Sequence, residues 1–251
     1  MTELTTRQVE QLLPRADGAL VVVGEVPAAQ GVADIVAVRF DADAVRRRAD
    51  HGVGPMTSPL RLRCLDVLRR DRPMRAETLA RKMSTNARAL TRSTLLPLAD
   101  MGVIELTGEL VRATGAWEPV GAHLTAVELK LSKWRSALRQ ADNFALSADR
   151  SWVVIDEGRA ASVLTHLDLF AAYGVGLALL STDGHLTARL RPRGRRPVPW
   201  LRALMAEWAW AAAEEDVLAL ARLDGAQATA AQASRNPASA RLPSIPGSAL
   251  R

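Results

Sequence analysis

The chain has 251 residues, 48% of them hydrophobic, which is enough for one large core or two smaller ones. A single cysteine, Cys64, excludes an internal disulfide and any multi-cysteine zinc site. No apolar run nears the roughly 20 residues that span a bilayer, and the opening MTELTTRQVE has no export signal, so the sequence points to a cytoplasmic protein away from membranes.

Taken in chain order, the pattern predicts a helix over Thr5 to Leu13, ended by Pro14. Two β-branched runs follow, Ala19 to Glu25 and Val32 to Phe40, joined as a hairpin through Pro27 to Gly31. A charged stretch, Asp41 to Asp50, leads through Gly52 and Gly54 to Ser58-Pro59, a helix start with Ser as N-cap and Pro at the first helical position. From there to Gly115 the pattern gives three helices and a short hairpin. Leu124 to Leu131 reads as a strand. Ser132 caps a helix to Ala148, Ser151 to Ile155 is a strand, Arg159 to Ala172 a helix, and Val175 to Leu180 a strand. The turn Asp183-Gly184 precedes a last strand, Leu186 to Leu190, and Trp200 to Leu223 is an Ala-rich helix that carries several tryptophans. The Ala-, Ser- and Pro-rich residues beyond read as a disordered tail. The expected organisation is a core over 1–50, an insert over 57–117, the rest of the core over 120–223, and a tail over 224–251.

The net charge of +6 is unevenly spread. Between Arg61 and Arg92 ten basic residues stand against three acids, and a second cluster joins Arg189, Arg191, Arg193, Arg195 and Arg196. Such surfaces attract phosphate backbones by counterion release; an Arg-rich composition on ordinary solvated faces is the competing explanation.

Within the insert, Leu79, Ala80 and Met83 share one face of a short helix, and Ser84-Thr85-Asn86 forms a polar turn. Ala87, Leu90, Leu98 and Met101 make the stripe of the next helix, with Thr94 at its centre and Leu95 at its edge. Gly102 suits a left-handed C-cap, and Val103 to Leu106 with Leu110 to Ala113 makes a two-stranded wing. This segment resembles the winged helix-turn-helix family. The resemblance implies a second helix in the major groove, with Asn86, Arg88, Arg92 and Ser93 toward bases and phosphates. Pro97 departs from the pattern and is expected to kink or shorten that helix. Modules of this kind also dock proteins, which leaves a protein partner as the alternative.

Chemistry-bearing residues flank the insert. Asp34 lies in the second strand; Glu128 and Lys130, two apart, project from one face of the strand after the insert. Two carboxylates, the Leu129 carbonyl and waters suit Mg²⁺ or Mn²⁺, and a neighbouring lysine can orient or help deprotonate a water and offset transition-state charge. The order of elements and these residues resemble the PD-(D/E)xK nuclease superfamily: an α/β, restriction-endonuclease-like αβββαβ core, a mixed sheet flanked by helices, here interrupted by the winged-helix module. The resemblance implies Asp34 and Glu128 as metal ligands, Glu10 as a further acidic ligand, Lys130 as the catalytic lysine and Gln140 as an orienting residue. It also implies Lys133, Arg135 and Arg139 close to the DNA path. Ala33 stands where that motif often has Pro, and Phe144 where related exonucleases have Tyr. The expected activity is metal-dependent DNA hydrolysis, with a homodimer if both strands are cut. The alternative is a DNA-binding regulator with an inactive core. His123 is a candidate phosphate contact.

Overall fold

A computed structural model describes residues 6–13, 19–70, 72–130 and 133–222. The protein is α/β, with a mixed six-stranded sheet flanked by helices. Helix α1 (Thr6–Glu10) precedes β1 (Ala19–Pro27) and β2 (Val32–Phe40), which pair antiparallel as the β-branched runs require. Helix α2 (Ala42–Asp50) follows, where the sequence shows only a charged stretch. Asp41 caps the helix by accepting from the Ala44 amide at 2.9 Å, and Ala44, Val45 and Arg48 form its buried face. The missed signal is the sparse apolar stripe, two small residues and an arginine whose partner lies far along the chain.

Helix α3 (Pro59–Arg70) opens the insert, followed by β3 (Met74–Arg75), α4 (Ala76–Lys82) and α5 (Ala87–Leu90). A π-turn over Thr91–Leu95 leads directly into α6 (Leu96–Asp100). Pro97 therefore does not shorten the helix. The Leu96 amide bonds back to the Thr91 carbonyl, one residue farther than in an α-helix, and this wider turn gives room to a proline that has no N–H to donate. Gly102, at φ 71°, ends the helix in the left-handed conformation. Strands β4 (Ile104–Thr107) and β5 (Leu110–Ala113) pair antiparallel, and β3 adds a third strand that the sequence reading missed. At two residues, β3 is too short to show alternation.

Strand β6 (Gly121–Lys130) returns to the large sheet and pairs antiparallel with β2. Helix α7 (Trp134–Phe144) and β7 (Arg150–Asp156) follow, β7 parallel to β6. Lys133 occupies the N-cap position of α7, while Leu131 and Ser132 lie outside the described residues. The single helix expected over Arg159 to Ala172 is instead a 3-10 turn (Glu157–Arg159), α8 (Ala161–Leu164) and α9 (Leu167–Tyr173). The break falls at Thr165-His166, where the Thr165 hydroxyl bonds the Ser162 carbonyl. Strand β8 (Gly176–Leu180) runs parallel to β7, and β9 (Leu186–Leu190) closes the sheet antiparallel, in the order β1-β2-β6-β7-β8-β9. Helix α10 (Pro199–Ala212) ends at Ala213, whose φ of −137° breaks the expected long helix before helical turns resume over 214–222. The predicted tail, 224–251, lies outside the described residues.

Strand alternation sorts the core. Val36, Val38, Phe40, Leu124 and Ala126 meet α10 through Met205, Ala206, Ala209 and Trp210. Ile35, Ala37, Val127, Trp152 and Val154 meet Val9, Leu12 and Leu13 on the opposite face. Gly121 is required where α10 crosses: an added Cβ would lie 2.6 Å from Leu124 and 3.0 Å from Ala206. The insert has its own core, Leu62, Cys64, Leu65, Leu79, Leu90, Leu95, Leu98 and Val111 among others, and this core reaches Ala203 of α10. Leu95, expected at the stripe's edge, is fully buried because the π-turn rotates it inward.

Candidate metal centre and nucleic-acid surface

Alternation along β2 and β6 puts Asp34, Glu128 and Lys130 on the face shared with Val36 and Ala126. The three groups meet. Lys130 Nζ lies 2.7 Å from Glu128 Oε1 and 4.0 Å from Asp34 Oδ2. Asp34 Oδ2 also accepts from the Leu129 amide at 2.7 Å, just beyond the last β2–β6 pair, Ile35 with Val127. That bond fixes the Asp34 carboxylate across the strand gap. It is the Leu129 amide, rather than the expected carbonyl, that the structure brings to this group.

Glu128 is fully buried, whereas Asp34 and Lys130 keep 38% and 31% of their side chains exposed. The cluster, called the acidic pit below, is a sealed carboxylate beside two partly exposed side chains. Glu128 Oε2 has no hydrogen-bond partner, and Oε1 faces Lys130 at ion-pair distance without good hydrogen-bond alignment. Burial pushes the Glu128 carboxyl above its ordinary range and Asp34 adds to this, against the pull of the adjacent Lys130 ammonium. Burial pulls the Lys130 amine down, but the close Glu128 carboxylate and the charge of Asp34 outweigh it and leave it raised. An ammonium at this place suits orienting and charge compensation.

Two carboxylates and one ammonium leave a net negative charge at the pit. Among the described residues no three or more His, Cys, Asp or Glu side chains are arranged to hold a metal. An ion here would find two protein carboxylates and would keep waters, a donor set that suits Mg²⁺. Glu10 stands exposed on α1 and does not complete a third acidic ligand. Gln140 is half-buried on α7 and makes no hydrogen bond to the trio. No family model, curated protein or solved structure matches the chain.

Beyond the end of β6, Lys133, Arg135 and Arg139 are exposed along α7. Lys133, Arg135, Ser136 and Ser162 line an open cleft of about 290 Å³. The Arg135 guanidinium lies over the Trp134 ring, 4.3 Å from its centroid. His123 sits at the opposite end of β6, 3.6 Å from Asp149; burial lowers its pKa, and it is not part of this surface.

In the insert, Asn86, Arg88, Arg92 and Ser93 are all exposed. Asn86 Oδ1 accepts from the Arg88 and Ala89 amides at 2.9 and 3.2 Å, so its oxygen is committed to capping α5 and only its NH₂ remains for a partner. The Ser93 hydroxyl bonds the Ala89 carbonyl at 2.8 Å. Arg88 and Arg92 make no side-chain hydrogen bond or ion pair among the described residues, and they are the available cations. In the second basic cluster Arg189 pairs with Glu157 at 3.5 Å and Arg195 with Asp142 at 2.9 Å, which leaves Arg191, Arg193 and Arg196 exposed.

A feature the sequence reading missed joins the insert to the core. Arg48 and Glu207, both fully buried, form a two-pronged ion pair at 2.5 and 3.1 Å. Glu207 also accepts from the Met56 amide at 2.7 Å and from Trp117 Nε1 at 3.1 Å. Arg48 donates to the carbonyls of Gly54 and Glu118 and lies over Trp210. The linker into the insert and the linker out of it are thus fastened by one carboxylate on α10.

Proposed function

We propose that the protein is a divalent-metal-dependent nuclease acting on DNA, with a PD-(D/E)xK-like core and a winged-helix-like insert that grips the duplex. The observation that carries this reading is the meeting of Asp34, Glu128 and Lys130 on adjacent strands with one buried Glu128 oxygen unpartnered. A buried carboxylate without full compensation costs stability, and such costs concentrate where function uses the group. With α2 and the insert set aside, the order helix, strand, strand, strand, helix, strand supports the same reading.

Asp34 and Glu128 would hold Mg²⁺ or Mn²⁺, and the ion would supply Lewis acidity for attack of water at phosphorus. Asp34 is held ready by the Leu129 amide. Lys130 orients the water and offsets negative charge as it builds on the phosphate oxygens. Lys133, Arg135 and Arg139 bind the backbone phosphates on either side, and Arg88 and Arg92 on the insert supply a second grip.

The test is plasmid cleavage in Mg²⁺ or Mn²⁺. Asp34→Ala and Lys130→Ala are each expected to slow cleavage by about 10²–10³-fold, the size of losing one preorganised electrostatic group. Equal traces for wild type and variants overturn the hydrolytic reading. A second reading, a DNA-binding regulator with an inert core, is favoured by the 2.7 Å Lys130–Glu128 pair, which partly satisfies the carboxylate without a metal. Its signature is salt-dependent duplex binding with no metal-dependent cleavage.

A further inference from the structure

Strand β1 lies at the edge of the large sheet and pairs with β2 residue by residue from Ala19 with Phe40 to Gly24 with Ile35, and again from Val26 with Ala33. The register does not shift, so Glu25 stands directly across from Asp34, and theirs is the one pair of the ladder left unformed. The cause is the φ of 55° at Glu25, which turns the chain over. Val21, Val23 and Val26 all pack in the cluster under α10, so the alternation slips by one residue there. The two backbones are in close contact beside this point: a Cβ built on Gly24 would lie 3.7 Å from the Asp34 carbonyl oxygen. A left-handed glutamate crowds its Cβ against the following carbonyl, and glycine takes this conformation freely. Gly24 is the preceding residue, yet the left-handed position itself holds a carboxylate. Glu25 is exposed and, among the described residues, has no hydrogen bond or ion pair.

Asp34 and Glu128 against Lys130 leave the acidic pit with one net negative charge, and a divalent cation carries two positive ones. Resting on the nuclease reading, we infer that Glu25 supplies the further charge: it is a positioning residue of the metal centre, one strand out from Asp34, and it acts through the ion's water shell. Neighbouring strands lie about 5 Å apart, within the reach of a glutamate side chain and a water. No three acidic side chains among the described residues are arranged as direct ligands, which puts Glu25 outside the pair that would touch the ion. The buried Glu128 oxygen without a donor points to a cation independently of Glu25.

Calorimetric titration of the full chain with Mn²⁺ alone tests this, with melting curves to check that each variant folds. Glu25→Gln is expected to weaken Mn²⁺ binding by about tenfold, and Glu25→Asp, which keeps the charge, by less than about threefold. Glu25→Gly removes the charge and the strain together, so it should bind Mn²⁺ as weakly as Glu25→Gln while melting no lower than wild type. Asp168→Asn, an exposed acid on α9, should change the affinity by less than about twofold, since distant surface charges are screened. Asp34→Ala should abolish binding. If Glu25→Gln and Glu25→Gly bind as wild type does, the kink only guards the open edge of β1, and the inference is overturned while the metal centre stands. A loss equal to that of Asp168→Asn, or an equal loss in Glu25→Asp and Glu25→Gln, overturns it too. If wild type takes up no Mn²⁺, or Asp34→Ala takes it up equally, the nuclease reading itself falls and the inference with it.

Discussion

Glu207 and Glu128 are both sealed from solvent, yet their surroundings differ. Glu207 receives two guanidinium nitrogens, a backbone amide and an indole N–H. Glu128 has a lysine beside one oxygen and nothing on the other. A buried carboxylate with four donors fixes the relative placement of α2, α10 and two linkers. One with a free lone-pair face is poised for something further. The contrast separates a buried carboxylate with its full set of donors from one that lacks them, although a burial value alone makes them equal.

Breaking the satisfied group has the largest expected effect. Arg48→Ala leaves Glu207 buried without its cation and is expected to cost about 3–5 kcal/mol, read by urea unfolding. A loss under about 1 kcal/mol would mean that the clamp is not what holds the insert to the core. Trp117→Phe removes a single donor to a charged oxygen, and a loss of about 1.5–3 kcal/mol is expected. The unsatisfied group is expected to respond in the opposite direction. Glu128→Gln removes a poorly compensated buried charge and should raise stability by about 1 kcal/mol, a few degrees in melting temperature, and under the proposed nuclease reading it should also abolish cleavage.

The pH dependence sharpens the same contrast. Burial raises the Glu128 pKa, so the folded protein keeps this proton to higher pH than the unfolded chain does. That contribution to stability is complete below the unfolded value of about 4.3 and is lost as pH rises through the folded value. Glu128→Gln should flatten that part of the stability profile. An unchanged slope would show that the carboxylate is better compensated than its hydrogen bonds indicate.

Much of the sheet was legible because its strands are Val-rich and bounded by turn residues; β1, β2, β7 and β8 fall close to where the pattern put them. The trio was legible through period-2 alternation, which puts Glu128 and Lys130 on one face whatever the tertiary fold. Glu10 was not, since a short first helix gives no information on where its acid points in three dimensions. Arg48 was read as part of a charged run, because an arginine reveals its burial only through its partner, and Glu207 is 159 residues away. The π-turn before Pro97 was half legible: a proline inside a helical stripe announces a disturbance without saying whether the chain stops or widens.

Strands β2 and β6 are antiparallel neighbours, and the Asp41 amide bonds the Val120 carbonyl at 2.7 Å, as across the closed end of a hairpin. Residues 41–120 thus stand where a two-residue turn could have served. In an unstructured chain, joining the ends of so long a loop costs about 3 kcal/mol more than closing such a turn. A segment that folds by itself brings its ends together before the strands zip. The order of events during folding is then expected to run from the periphery inward: a locally connected helical unit forms early, and the nonlocal sheet waits for it.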